Sequence, residues 1–201
     1  MVEPDRMPDS VTVDTKARLR QEALARRDAL PAELRQRAAE TLAARPLPLD
    51  VPPGAVVSGF SPIGSEINPL ALMRRLGGGG ARLALPVVMG RGRPLVFRAW
   101  AWGEPLGKGQ WGIREPRAEA PQVKPDILLV PLAAFDRAGH RIGYGAGYYD
   151  LTLTALRATQ AIVAVGLAYA AQEIAAVPAT ARDARLDLVL TEREVIDCRK
   201  A

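Results

Sequence analysis

The ten residues Arg141-Ile-Gly-Tyr-Gly-Ala-Gly-Tyr-Tyr-Asp150 hold the densest concentration of chemistry-bearing types in the chain. Gly143, Gly145 and Gly147 stand on alternate positions, so the backbone can approach an anion closely and aim several N–H groups at it. A helix opening just behind them would add its favourable dipole, which makes phosphate the natural guest. Asp150 closes the run in the first helical turn. There a carboxylate either holds a hard cation such as magnesium beside the phosphates or simply favours the helix dipole. The loop is not a Walker A motif, because no Gly-Lys-Ser/Thr follows, and not a dinucleotide fingerprint, because Tyr148 occupies the place of the last glycine.

The elements around this loop must place it at the end of a central strand. Asp126-Ile-Leu-Leu-Val-Pro131 is an unbroken apolar run of the kind covered on both faces in a parallel sheet. After the loop, residues 147–158 read as a helix, and 162–167 and 186–190 as strands. Before it, residues 15–44 are strong helix formers with Leu19, Ala23, Leu30, Leu34, Ala38 and Leu42 near helical spacing, giving two helices with Pro31 at the start of the second. Residues 55–60 form a strand, 61–68 a loop and 69–76 a short helix, followed by strands at 82–86 and 95–100. The Gly- and Pro-rich stretch 103–125 reads as a surface excursion. Strands alternating with helices indicate an α/β fold, a single-domain three-layer sandwich with a mostly parallel central sheet. Residues 1–14 are expected to be a flexible tail and 15–201 the one domain.

Composition narrows the classes. Of 201 residues, 48% are hydrophobic and 24% charged, too apolar for wholesale disorder. The apolar runs are strand-sized and far below the roughly 20 residues of a membrane span. Met1 to Ser10 has no apolar h-region, and the single cysteine, Cys198, has no internal partner for a disulfide. A cytoplasmic monomer that does not bind membranes is expected. The net charge of +5 suits polyanionic small molecules as well as nucleic acid. The basic residues are interleaved with acids and aromatics are only 5%, which argues against nucleic-acid binding as the primary function.

Asp126 to Pro131, Phe135-Asp136, Gly139 and Arg141 to Asp150 together resemble the signature of the 5-formyltetrahydrofolate cyclo-ligase family. Lys16 and Arg20 resemble its amino-terminal Lys-x-x-x-Arg; four residues apart, they share a helical face and can converge on polyphosphate oxygens. Phe60-Ser-Pro-Ile-Gly-Ser-Glu-Ile67 is similar to the family's folate-contacting loop. Trp100, Gly103-Glu104, Gly109, Trp111-Gly-Ile113 and Glu115-Pro116 follow its middle segment. Val177-Pro178, Asp183, Asp187 and Thr191-Glu192 follow its carboxyl-terminal one. The resemblance spans Lys16 to Glu192. Three positions depart from it: Leu151 stands where arginine is usual, and Thr180 and Arg182 where many members carry Glu and His.

The resemblance implies an enzyme that closes 5-formyltetrahydrofolate to 5,10-methenyltetrahydrofolate at the expense of ATP, with magnesium. The formyl oxygen cannot leave as oxide. It therefore first takes the γ-phosphoryl group, the second folate amine adds to the formyl carbon of the resulting iminophosphate, and phosphate leaves. Such a transfer asks the protein for in-line positioning and charge neutralisation. The implied ATP site comprises Lys16, Arg20, Arg141, Gly143, Tyr144, Gly145, Ala146, Gly147, Tyr148 and Tyr149, with Lys16, Arg141 and Tyr148 closest to catalysis. Ser61, Glu66, Trp111, Tyr144 and Tyr148 would contact the folate, Glu66 by paired hydrogen bonds to the pterin and Trp111 by stacking or, equally, as core. Asp150 and Asp183 would hold magnesium. No protein nucleophile is required, so Cys198 and His140 have no catalytic part. The competing readings are a family member acting on another substrate and a non-enzymatic RNA-binding protein.

Overall fold

The computed structural model describes residues 9–200, apart from the side chains of residues 9–11 and of Trp111. Helix α1 (Asp9–Asp28) is followed by α2 (Ala32–Ala44), with Pro31 as its N-cap residue. Residues 9–14, expected to belong to a tail, are the first turns of α1. A strand β1 (Val56–Ser58), helix α3 (Leu70–Gly78) and strand β2 (Arg82–Val87) then form a parallel crossover unit. Strand β3 (Val96–Ala99) turns back antiparallel on β2.

The 103–125 stretch is more than a surface excursion. It folds as a small hairpin, β4 (Gly107–Lys108) and β5 (Arg114–Glu115), around a 3-10 turn at Gln110–Gly112. It then adds β6 (Gln122–Val123) to the edge of β3. The chain next crosses to the other side of β1 as β7 (Ile127–Pro131). A short hairpin of β8 (Ala134–Phe135) and β9 (Arg141–Ile142) leads into helix α4 (Tyr148–Arg157) and strand β10 (Val163–Leu167). Strands β11 (Leu188–Leu190) and β12 (Val195–Asp197) finish the sheet.

The main sheet runs β12-β11-β10-β7-β1-β2-β3-β6, with the five central strands parallel and antiparallel strands at both margins. Alternation along β7 distributes its residues between two cores. Ile127 and Leu129 join Leu42 of α2 and Leu72, Met73 and Leu76 of α3. Leu128 and Val130 join Leu153 of α4 on the opposite face. The expected three layers are therefore present.

Two consequences of this topology position the site. From β1 the chain moves outward to β2 by way of α3 on one face; from β7 it moves the other way to β10 by way of α4 on the other face. The loops leaving the carboxyl ends of β1 and β7 thus diverge and open a crevice, the place where open α/β sheets bind ligands. Helix α1 lies over that end of the sheet, where Leu19 and Ala23 pack on Ala134, Ile142 and Val177.

Candidate active site

The crevice is a cavity of about 270 Å³. Its walls are mostly apolar: Phe60 and Ile63 after β1, Pro86 and Val88 from the end of β2, Leu95 before β3, Ile113 from the middle hairpin and Pro131 from β7. Into this setting project Glu66, Glu115, Arg141, Tyr144, Tyr148, Tyr149 and Asp150. An apolar cleft with few converging polar groups is how small-molecule sites are generally built.

The glycine loop forms one wall. Gly145 and Gly147 take left-handed backbone angles, φ 100° and 69°, and Gly147 is the residue from which α4 starts. Arg141, only 5% exposed, sends Nη2 to Asp150 Oδ1 at 2.7 Å and Nη1 to the Ala184 carbonyl. Burial pulls its pKa below the ordinary value while Asp150, followed by Asp183, opposes that pull; a guanidinium so placed remains a cation. The Ala184 N–H also donates to Asp150 Oδ1, at 3.1 Å. Arg20 Nε donates to the Gly143 carbonyl at 2.7 Å, so α1 holds the loop from above.

Lys16 does not line the cavity; its Nζ lies 2.6 Å from Asp183 Oδ2. The same oxygen accepts the Thr180 N–H at 2.6 Å and the Thr180 hydroxyl at 2.8 Å. Burial alone would raise the Asp183 pKa, but Lys16 and Thr180 together hold it below the usual carboxylate range. Thr180, one of the three departures, thus serves Asp183 directly, whereas Arg182 and Leu151 are exposed. Lys16 and Asp183, read as a phosphate ligand and a metal ligand, are here each other's partner.

The opposite wall is the loop after β1. Glu66 Oε2 accepts the Ile63 N–H at 2.7 Å. Burial pushes the Glu66 carboxyl above its ordinary pKa, against the opposing effects of the Tyr144 hydroxyl, the Ile63 N–H and the Arg27 charge. Tyr144 exposes 46% of its surface, yet its hydroxyl turns inward to accept from Arg27 Nη1 at 2.7 Å. Burial, then Glu66, raises the Tyr144 pKa, and the same two causes act on Tyr149, so both phenols are neutral hydrogen-bonding groups at pH 7. The Tyr149 hydroxyl is buried with no hydrogen-bond partner among the described residues, an orphan that a bound ligand or water would satisfy. Ser61 borders the cavity, but its hydroxyl donates to the Arg114 carbonyl at 2.6 Å and ties the loop to the middle hairpin. The Trp111 side chain lies outside the described residues.

Two residues of the site carry no role in the sequence reading. Arg27 is 7% exposed and lies in the last turn of α1. Glu115, 8% exposed, lies on the cavity wall with Oε1 3.2 Å from the Val88 N. Neither has a local signal, since their partners are distant in the chain or supplied by the hairpin fold.

The family model described as the 5-formyltetrahydrofolate cyclo-ligase family matches residues 12–192. The chain belongs to the 5-formyltetrahydrofolate cyclo-ligase family. It is 36% identical over 164 residues to the 5-formyltetrahydrofolate cyclo-ligase of Mycolicibacterium smegmatis, covering 75% of this chain and 81% of that one. Identity to the Escherichia coli K12 cyclo-ligase is 32% over 181 residues, covering 85% and 96%. Among solved structures, the Aquifex aeolicus 5,10-methenyltetrahydrofolate synthetase superposes with a TM-score of 0.76 at 31% identity, over 92% of this chain and 94% of that one. The mixed α/β architecture with its large, mostly parallel sheet is that of a cyclo-ligase family member. The crevice between β1 and β7 is accordingly the place to look for cyclo-ligase chemistry.

Proposed function

We propose that this chain converts 5-formyltetrahydrofolate and ATP to 5,10-methenyltetrahydrofolate, ADP and phosphate in the crevice between β1 and β7. The observation that carries the reading is the juxtaposition of a half-buried carboxylate, Glu66, with the glycine loop that opens α4, across one apolar cavity. The cavity is slightly smaller than the roughly 300–1,000 Å³ typical of ligand pockets. It suits the pterin ring system, with the nucleotide and the folate tail lying along open surface.

Each wall has a distinct task. Glu66 accepts from the pterin amino and ring N–H groups, which rejects molecules that leave this carboxylate unpaired. Its raised pKa favours acceptance of such donors, because a desolvated carboxylate gains more from each hydrogen bond. The Tyr149 hydroxyl completes its hydrogen bonding on the ligand. On the other wall the N–H groups around Gly145 and Gly147, the α4 N-terminus and the Arg141 and Arg20 guanidiniums neutralise phosphate charge as the formyl oxygen takes the γ-phosphoryl group. Tyr148 lines the cavity as the first residue of α4. Lys16 reaches phosphate only by leaving Asp183.

The donor set fits magnesium in the manner usual for nucleotide sites. Among the described residues no three His, Cys, Asp or Glu side chains gather. Magnesium beside ATP, however, needs only one or two carboxylates, the rest of its shell being phosphate and water. Asp150 and Asp183 both lie near Arg141 and would supply those carboxylates. The ion, when bound, supplies charge neutralisation at the β- and γ-phosphates.

The test is the absorbance rise of methenyltetrahydrofolate on mixing the chain with 5-formyltetrahydrofolate, ATP and magnesium. Expected are a rise abolished by omitting ATP or by chelation, and a loss of roughly 100-fold or more for Asp150→Ala, which removes a carboxylate that would hold magnesium beside the phosphates. No rise from the folded protein overturns the reading.

A further inference from the structure

The carboxyl end of α1 touches both walls of the cavity at once. Arg27 Nη1 donates to the Tyr144 hydroxyl on the glycine-loop wall, and its guanidinium carbon lies 5.9 Å from the Tyr144 ring centroid. Arg27 Nε reaches Asp28 Oδ1 at 3.1 Å, and the same Asp28 oxygen accepts the hydroxyl of Ser65, the neighbour of Glu66 on the other wall. A cation buried to this extent, 117 residues from its phenol partner, does more than answer the helix dipole. Arg26, its neighbour, is bonded to the Ala171 carbonyl on the outside of the site.

We infer that Arg27 is a positioning residue for the folate side of the site: through Tyr144 on one wall and through Asp28 and Ser65 on the other it sets the place of Glu66, without serving the nucleotide side. The inference rests on the cyclo-ligase reading. The groups facing Glu66 come from four elements: Tyr144 on the glycine loop, Tyr149 on α4, Arg27 on α1 and Tyr169 after β10. Arg27 is the one cation that acts on Glu66 among them. With Arg27 removed, burial of Glu66 is opposed by fewer groups and its pKa rises further. The carboxylate is then lost at a higher pH than in the wild type.

The experiment measures KM for 5-formyltetrahydrofolate, KM for ATP and the pH profile of kcat/KM for the folate in the wild type, Arg27→Gln, Arg27→Lys, Tyr144→Phe and the Arg27→Gln/Tyr144→Phe double variant. Expected for Arg27→Gln is a rise of about tenfold in folate KM, the scale of one charge-assisted hydrogen bond. ATP KM should stay unchanged and the acid limb should move to higher pH. Arg27→Lys restores the position of that limb, because the cation returns. In the Tyr144→Phe background Arg27→Gln raises the folate KM by less than it does alone, because the path through the phenol is already cut while the charge and the Asp28–Ser65 contact still act. Equal rises in both KM values, an unmoved acid limb, or additive effects of the two substitutions each overturn the inference. A merely structural Arg27 would lower Tm without any of these signatures, and Arg27→Lys carries the same test if the glutamine variant does not fold. An inactive wild type removes the functional reading and this inference with it, whereas an active wild type with an unchanged Arg27→Gln removes this inference alone.

Discussion

At the scale of single residues, the two acidic groups of greatest interest are tuned in opposite directions. Glu66 is raised by burial, so its ionised form costs the folded state something relative to the unfolded chain. That contribution favours folding at acid pH and is lost as pH rises through the raised value. Glu66→Gln should therefore lower kcat/KM for the folate by about 100-fold, with ATP KM unchanged, since the paired acceptor is gone. Its Tm relative to wild type should improve as pH goes from about 4 to 7. Parallel kinetics and melts at several pH values check both halves. Asp183 has the reverse sign: lowered by Lys16 and Thr180, it stabilises the fold above the ordinary carboxylate pKa, and the benefit disappears as pH falls through its own lower value. Asp183→Asn should cost about 1–3 kcal/mol at pH 7, with the difference from wild type closing below about pH 4. Calorimetric or denaturant-based stabilities across that range decide it.

At the scale of elements, the middle hairpin is a wall of the site, and its placement depends on a close approach at Gly109. A methyl group there would sit 2.1 Å from the Glu115 carboxylate, while the Gly109 backbone, φ −88° and ψ −161°, is open to any residue. Gly109→Ala should therefore displace Glu115 from the cavity without straining the chain, raising folate KM by about tenfold through a shifted wall and leaving ATP KM alone. Steady-state kinetics with each substrate varied in turn checks this. The sequence made the glycine loop, the β7 strand and the helices of the two crossover units legible, because alternating glycines, unbroken apolar runs and helical periodicity are local signals. It did not reveal the hairpin as a wall, because β4 and β5 are two residues each and owe their place to Ser61 and Val88, far away in sequence. Arg27 stayed hidden for the same reason. Lys16 and Asp183 read from sequence as ligands of separate groups; their mutual pairing comes from α1 lying over the sheet end, which no local pattern encodes.

At the scale of the whole molecule, the last strand and the single cysteine report on how the sheet is held closed. Cys198 follows β12, is buried against Gly139, and takes part in the closure: its N–H donates to the Asp187 carbonyl at 3.0 Å and its own carbonyl accepts from Arg185 Nη2 at 3.1 Å. Burial pushes its thiol up to about 11, Arg185 opposing and Asp136, Asp197 and Asp187 reinforcing the shift. The folded thiol at pH 8 is therefore both shielded and almost wholly protonated, and a thiol reagent reaches it only through an opening of the structure. Labelling should be slow in native buffer and reach one equivalent per chain in denaturant, since Cys198 is the only cysteine. In the proposed function the ligands bind at the β1 and β7 ends, and β12 stands at the sheet margin beyond β10 and β11. If the opening is global, 5-formyltetrahydrofolate at 100 times its dissociation constant adds about 2.7 kcal/mol and slows labelling about 100-fold. If β12 peels away alone, folate leaves the rate unchanged, because the open form keeps the site. Labelling rates with and without folate, under conditions where closing outpaces reaction, separate a sheet that opens as one cooperative unit from one whose antiparallel edge opens first.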